Sequence, residues 1–170
     1  MIYERPPEAA PVDQGDIVCE CPLVWIETYD PTMPEVVPVD VSHERVVVLT
    51  QTCDLAQRKV TRVVVAQAIA ADEIVVSGQL KAADIRGPVR SGRVFGWYFL
   101  PKDEVLGLPE LIVDLRQLHT VPLELLEELC RCGNREGRVR PLYREHLAKH
   151  FADTYSRIGL PEPYATEQTA

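Results

Sequence analysis

The densest run of reactive side chains is Thr50-Gln51-Thr52-Cys53-Asp54, which follows the apolar stretch Val46-Val47-Val48-Leu49. A strand that ends in such a string presents polar groups from a rigid base. Continued as a strand, it points Thr50, Thr52 and Asp54 one way and Gln51 and Cys53 the other. Thr52 and Asp54 can then grip a polar ligand, and Cys53 paired with a histidine can act as a nucleophile. No local cysteine-protease signature accompanies Cys53. The favoured alternative makes Asp54 a cap on a turn at Leu55-Ala56 and buries Cys53 as a small apolar residue.

Two further sets stand near the C-terminal end. Cys130, Cys132, His146 and His150 are spaced C-x-C-x13-H-x3-H. That is close to a zinc-finger pattern, but the cysteines are separated by one residue rather than two to four. His146 and His150 also share a helical stripe with Asp153 and Arg157, which reads as a hydrogen-bonded helix edge, and no metal or other cofactor is expected. Arg131, Arg135, Arg138, Arg140, Arg144 and Lys149 face only Glu136 and Glu145 along the same stretch, a local charge of +4. This is the best candidate for touching phosphate. The alternative is a solvated basic stretch that balances acid elsewhere.

The elements that must hold these groups follow from periodicity. Residues 1–12 read as a flexible lead-in because Pro6, Pro7 and Pro11 block regular structure. A strand starts at Asp16, after the turn signal Gln14-Gly15, and continues or restarts at Val24-Trp25-Ile26. Residues 28–38 form a loop with three prolines. Strands are expected over 45–51, 61–69, 93–100 and 111–115, since their β-branched runs are too short for buried helices. Residues 71–92 mix a short helical pattern with glycines. Pro122 opens a helix that Gly133-Asn134 ends, and Pro141 opens another to about Arg157. Tyr143, Leu147, Phe151, Tyr155 and Ile158 form its docking stripe. No long helices separate the strands, so a doubly wound parallel sheet is excluded in favour of a small, mostly antiparallel barrel.

Composition sets the outer bounds. The 170 residues suffice for one domain with its own core. The net charge of −8 is uneven: residues 1–44 carry −9, residues 45–130 carry −1, and residues 131–170 carry +2. Any nucleic-acid site must therefore be local. No apolar run is long enough for a membrane span, and the start lacks the basic-then-apolar pattern of a secretory signal. Five cysteines without a signal read as reduced thiols, so a cytoplasmic setting is expected. P-loop, Rossmann, nucleophile-elbow and zincin signatures are absent.

The order of the pieces resembles the MazF/PemK-type toxin family. Gln14-Gly15-Asp16-Ile17-Val18 is similar to that family's (R/K/Q)GDI opening. RVVVLTQ (45–51), VVVAQAI (63–69), LIVDLRQLHT (111–120) and LELLEEL (123–129) stand in the order of its later segments. The likeness runs over residues 14–130, with an insertion at 22–44 and about 40 extra residues at the end. It implies an SH3-like barrel over residues 13–130, a helical extension over 131–160 and a loose tail over 161–170. It also implies a homodimer, an antitoxin-like protein partner, and metal-independent cleavage of single-stranded RNA. The family arginine that does acid–base work falls on Arg45, and the RNA-contacting glutamine falls on Gln117. Ala70 stands where the family has a threonine that holds the scissile phosphate, His119 replaces an arginine, and Val46 replaces a proline.

A metal-free ribonuclease needs a base for the 2′-hydroxyl, a cation on the non-bridging oxygens, and an acid for the leaving oxygen. Arg45 can supply the cation, and His119 titrates in the right range. Gln117 and His119 share a face if their segment is extended. Arg45, Gln117 and His119, with a hydroxyl from Thr50, Thr52 or Thr120, then make a rearranged site, while Arg131, Arg135, Arg138 and Arg140 hold the RNA backbone. The alternative makes Arg45 a strand-end ion pair and Gln117 and His119 turn residues. On that reading the fold is a non-catalytic interaction module within a toxin-linked or defence system.

Overall fold

Pairing of β-branched segments organises the chain in the computed structural model, which describes residues 1–35 and 37–156. Seven strands appear in chain order: β1 (Tyr3–Glu4), β2 (Asp16–Ile26), β3 (Val39–Val48), β4 (Arg62–Ala70), β5 (Trp97–Leu100), β6 (Leu111–Pro122) and β7 (Arg135–Val139). Helices α1 (Thr52–Ala56), α2 (Ala71–Val76) and α3 (Ala82–Asp84), with a wide helical turn at Ile85–Val89, fill the central connections. The longer helices α4 (Leu123–Arg131) and α5 (Pro141–Tyr155) come late. Proline opens both of them, Pro122 just before α4 and Pro141 at the first position of α5.

The strands form one antiparallel sheet in the order β1-β7-β2-β3-β4-β6-β5. The fold is mainly β with C-terminal helices, as the sequence implies. Hydrogen bonds do not close the sheet into a barrel, because β1 and β5 remain its two edges. The lead-in is tied down at two points: Tyr3 is buried, with its hydroxyl donating to the Pro101 carbonyl at 2.7 Å, and Val12 is buried too. The expected 131–160 extension is woven into the sheet, since β7 lies between β1 and β2. Arg157, Ile158 and the expected loose tail lie outside the described residues.

Both faces of the sheet are covered. On one face Ile17, Val47, Ala66, Val113, Leu115 and Val139 pack beneath Leu147 and Phe151 of α5. The α5 stripe is thus a docking face; Tyr155 adds a hydroxyl donated to the Leu115 carbonyl at 2.6 Å. The other face carries two apolar clusters. Val46, Val48, Val63, Val65 and Val121 meet Leu123 and Leu126 of α4. Trp97 and Ile112 meet Ala71, Ile74, Ile85 and Val89.

One irregularity bends the sheet. β2 slips register between Val18 and Cys21, and Glu20 there adopts φ +56°. Beyond this bulge, residues 21–26 pair only with residues 39–44 of β3, forming a two-stranded arm. β4 pairs with β3 only over Val46–Val48 and does not accompany the arm.

Candidate interaction cleft

The arm folds back across the sheet. Trp25 on β2 and His119 on β6 are three strands apart in hydrogen-bond order, about 14 Å in a flat sheet. Their rings nevertheless meet edge-on with centroids 4.6 Å apart. The sheet is therefore curled into a barrel-like trough with one gap, between β2 and the end of β6. A cleft of about 450 Å³ occupies that gap. Pro22, Leu23 and Val24 form one wall, and residues 118–122 form the other, with Arg62 and Leu125 beside them.

Both walls are strand edges. β5 pairs with β6 only over 111–114, which leaves residues 118–122 bonded to β4 alone. The Val64 carbonyl accepts from the Leu49 N–H at 2.9 Å, and the Val64 N–H donates to Thr50 Oγ1 at 2.8 Å. Val64 therefore turns both backbone groups away from β6. Its partner Thr120 must turn its own N–H and C=O away from β4, toward the gap, and by alternation so must Leu118. The Arg62 side chain reaches round to donate to the Thr120 hydroxyl and carbonyl.

The arm is apolar on both sides. Inward, Leu23 is buried and the Trp25 indole donates to Ser42 Oγ at 2.8 Å. Outward, the cross-strand pairs Val24–Val41 and Ile26–Val39 stand 48–65% exposed. Four aliphatic side chains aligned on a ribbon make a contiguous patch rather than scattered exposure. Residues 20–44 also hold six acids and neither lysine nor arginine. Beside the arm, Gln67 Nε2 donates to Glu44 Oε2 at 2.7 Å. Burial pushes the His119 imidazole below its usual range against the pull of Glu44, and its Nε2 is buried without a hydrogen-bond partner.

The expected catalytic residues are not brought together. Val48, Val65 and His119 are consecutive cross-strand partners and share one face. Arg45 is three residues before Val48, so it points to the opposite face. There it makes a two-pronged pair with Glu136 of β7, at 2.6 and 3.0 Å. Hydrogen bonding to Glu136, opposed by burial, raises the Arg45 guanidinium further above its ordinary value. This is the ion-pair alternative for Arg45. Gln117 lies where β6 slips out of register with β4, between Asp114 and Leu118.

The other expected contacts serve structure as well. The strand ends at Val48 and Thr52, Cys53 and Asp54 fall in α1, so the extended reading of 50–54 does not hold. Thr50 Oγ1 is taken by Val64. Burial pushes the Asp13 carboxyl up, but the Thr52 hydroxyl and the Arg144 guanidinium outweigh it and hold Asp13 below its ordinary value. Asp54 stands in the first turn of α1, 3.9 Å from Lys59. Cys53 is exposed, not buried as expected. Its place on the outer side of a one-turn helix explains the difference.

The arginines expected on phosphate are engaged by carboxylates and carbonyls of the chain itself. Arg138 binds the fully buried Asp16 through two hydrogen bonds, at 2.6 and 2.9 Å. Arg135 Nε lies 3.4 Å from the same carboxylate and its head donates to the Ala10 carbonyl at 2.8 Å. Burial drives the Asp16 carboxyl up, and the two arginines pull it back in part. Arg131 pairs with Glu128, and Arg140 lies 4.0 Å from Glu4. The Gly15-Asp16 pair is thereby explained: Gly15 sits at φ +83° with Val139 in the way of any Cβ, and Asp16 anchors β7.

The cysteine and histidine pairs are separated by the sheet. Cys130, on the buried side of α4, packs against one face, while His146 on the other holds the Tyr98 hydroxyl at 3.0 Å. Among the described residues no group of three or more His, Cys, Asp or Glu side chains is placed to hold a metal ion. No helix among them is long and apolar enough to cross a membrane.

Sequence reasoning missed the arm. Its signal was present in Leu23-Val24-Trp25-Ile26, apolar at successive positions, and in Val39-Asp40-Val41, which alternates apolar and charged side chains. Compared with protein-family models, curated proteins and solved structures, the chain matches none of them.

Proposed function

We propose that this protein is a non-catalytic protein-interaction module that receives a partner at the gap between β2 and β6. One observation carries the reading: two unpaired strand edges face each other across a 450 Å³ cleft, beside an exposed aliphatic patch. Unpaired edges are templates for another chain, and soluble proteins usually blunt them. The reading places the protein in the cytoplasm with a protein partner, in the manner of a component of a toxin-linked or defence system.

The competing proposal is a MazF/PemK-like endoribonuclease acting on single-stranded RNA as a homodimer. It draws on the unpartnered Nε2 of His119. It also requires Arg45 to leave Glu136 and to act from the opposite face of the sheet, which weighs against it.

Selection from a random peptide library on the immobilised protein, run beside incubation with single-stranded RNA and chelator, separates the two. The module reading expects enriched peptides whose binding falls at least tenfold with Val24→Lys, and RNA that stays intact. Cyclic-phosphate ends that vanish with Arg45→Ala, or a library with no binders, overturn it.

A further inference from the structure

Independently of that reading, we infer that a pocket beside the edge strand β5 binds a small organic monoanion, a carboxylate on an apolar body no larger than one aromatic ring. The pocket measures about 130 Å³ and lies where the start of the chain, the segment after the wide helical turn, β5 and α5 meet. Ile2, Leu100, Pro101 and Tyr143 give it apolar walls. A cavity of that size admits a benzene-sized body and is too small for a nucleotide.

Among the described residues no aspartate or glutamate lines the pocket, and its basic side chains are Arg90 and His146. Arg90 is exposed, with its guanidinium carbon 6.0 Å from the centre of the Phe99 ring. Arg45, Arg116 and Arg138 each have a carboxylate, whereas Arg90 has none among the described residues. Residues 85–96 hold three arginines and no acid, so the local field is positive. A planar guanidinium without a carboxylate of its own matches a ligand carboxylate through two parallel N–H···O bonds. The Tyr98 hydroxyl holds His146 Nδ1 at 3.0 Å. With that hydroxyl donating, Nε2 carries the ring proton and is left for the ligand. The backbone adds a third donor. The Leu115 N–H donates to the Gly96 carbonyl at 2.8 Å, so Gly96 and, by alternation, Tyr98 and Leu100 bond to β6. Phe99 between them turns its N–H away from β6, and Phe99 lines the pocket.

The test titrates the full chain with benzoate, benzamide, acetate and phenyl phosphate, followed by amide shifts in nuclear magnetic resonance. Benzoate should bind at least tenfold more tightly than benzamide or acetate, with saturable shifts at Arg90, Phe99 and His146. Arg90→Gln, at an exposed position, should weaken benzoate at least tenfold and erase its advantage over benzamide. Arg93→Gln, outside the pocket, should leave benzoate binding unchanged. Equal affinity for benzoate and benzamide, shifts that do not saturate, or binding that survives Arg90→Gln overturns the site. An equal loss with Arg93→Gln, as a diffuse positive field alone would give, overturns it too. Acetate bound as tightly as benzoate overturns the apolar body, and phenyl phosphate bound more tightly overturns the carboxylate. The peptide library tests the partner cleft separately, so either proposal can fail without the other.

Discussion

Replacing Arg138 with alanine tests the assignment of the late arginines to structure. Asp16 is fully buried, and Arg138 donates two hydrogen bonds to its carboxylate, beside one from the Asp13 N–H. Removing one partner of a buried ion pair leaves an uncompensated charge, at a cost of about 3–5 kcal/mol. Arg135, 3.4 Å from the same carboxylate, keeps the loss toward the lower end. For a chain of this size each kcal/mol moves the melting midpoint by about 2–4 °C. The variant should therefore melt about 6–12 °C below the parent, in a thermal scan followed by circular dichroism. Its pH dependence has a definite sign. Burial already pushes the Asp16 carboxyl up, and losing Arg138 pushes it further. A carboxyl raised in the folded state loses stability as pH climbs through its ordinary range, so the deficit should be smaller at pH 5 than at pH 8. Arg131→Ala, which breaks only a surface pair with Glu128, should change stability by less than about 0.5 kcal/mol. A midpoint within 2 °C of the parent for Arg138→Ala, or a deficit that grows in acid, would refute the argument.

Other consequences follow from single contacts. Burial depresses both His119 and His150 below their ordinary value of 6.5, so their contribution to stability is complete above that pH and is lost as pH falls toward 5; thermal midpoints across this range should drop, and His119→Phe should flatten the slope. Gly15→Ala meets both a positive φ and the Val139 side chain 3.1 Å away, and should cost about 1–3 kcal/mol in urea denaturation. Titration of the native protein with a chromogenic disulfide should modify Cys53 and Cys132 first, while Cys21, buried and raised to about 11, and Cys130 react only on unfolding.

The strands and late helices were legible because their signals are local. Asp16, the β-branched runs, Pro122 and Pro141 mark element starts through side-chain shape and backbone restriction alone. β7 was hidden because Arg-Glu-Gly-Arg-Val reads as a surface turn until Asp16, more than a hundred residues earlier, neutralises Arg138. The candidate site was hidden for a related reason. Whether Arg45 and His119 share a face depends on strand register, which no spacing in the chain reveals. The trough itself arises from the bulge at residues 19–20, where Glu20 takes a conformation that its side chain does not favour.

Amide hydrogen exchange along residues 118–121 tests the open edge most directly. In the isolated protein Leu118 and Thr120 should exchange fast while His119 and Val121, bonded to β4, exchange slowly. Saturation with a peptide enriched from the random library should then slow Leu118 and Thr120 at least tenfold and leave their neighbours unchanged. Four amides equally protected in the isolated protein, or no slowing of Leu118 and Thr120 by bound peptide, would contradict an edge that waits for a strand.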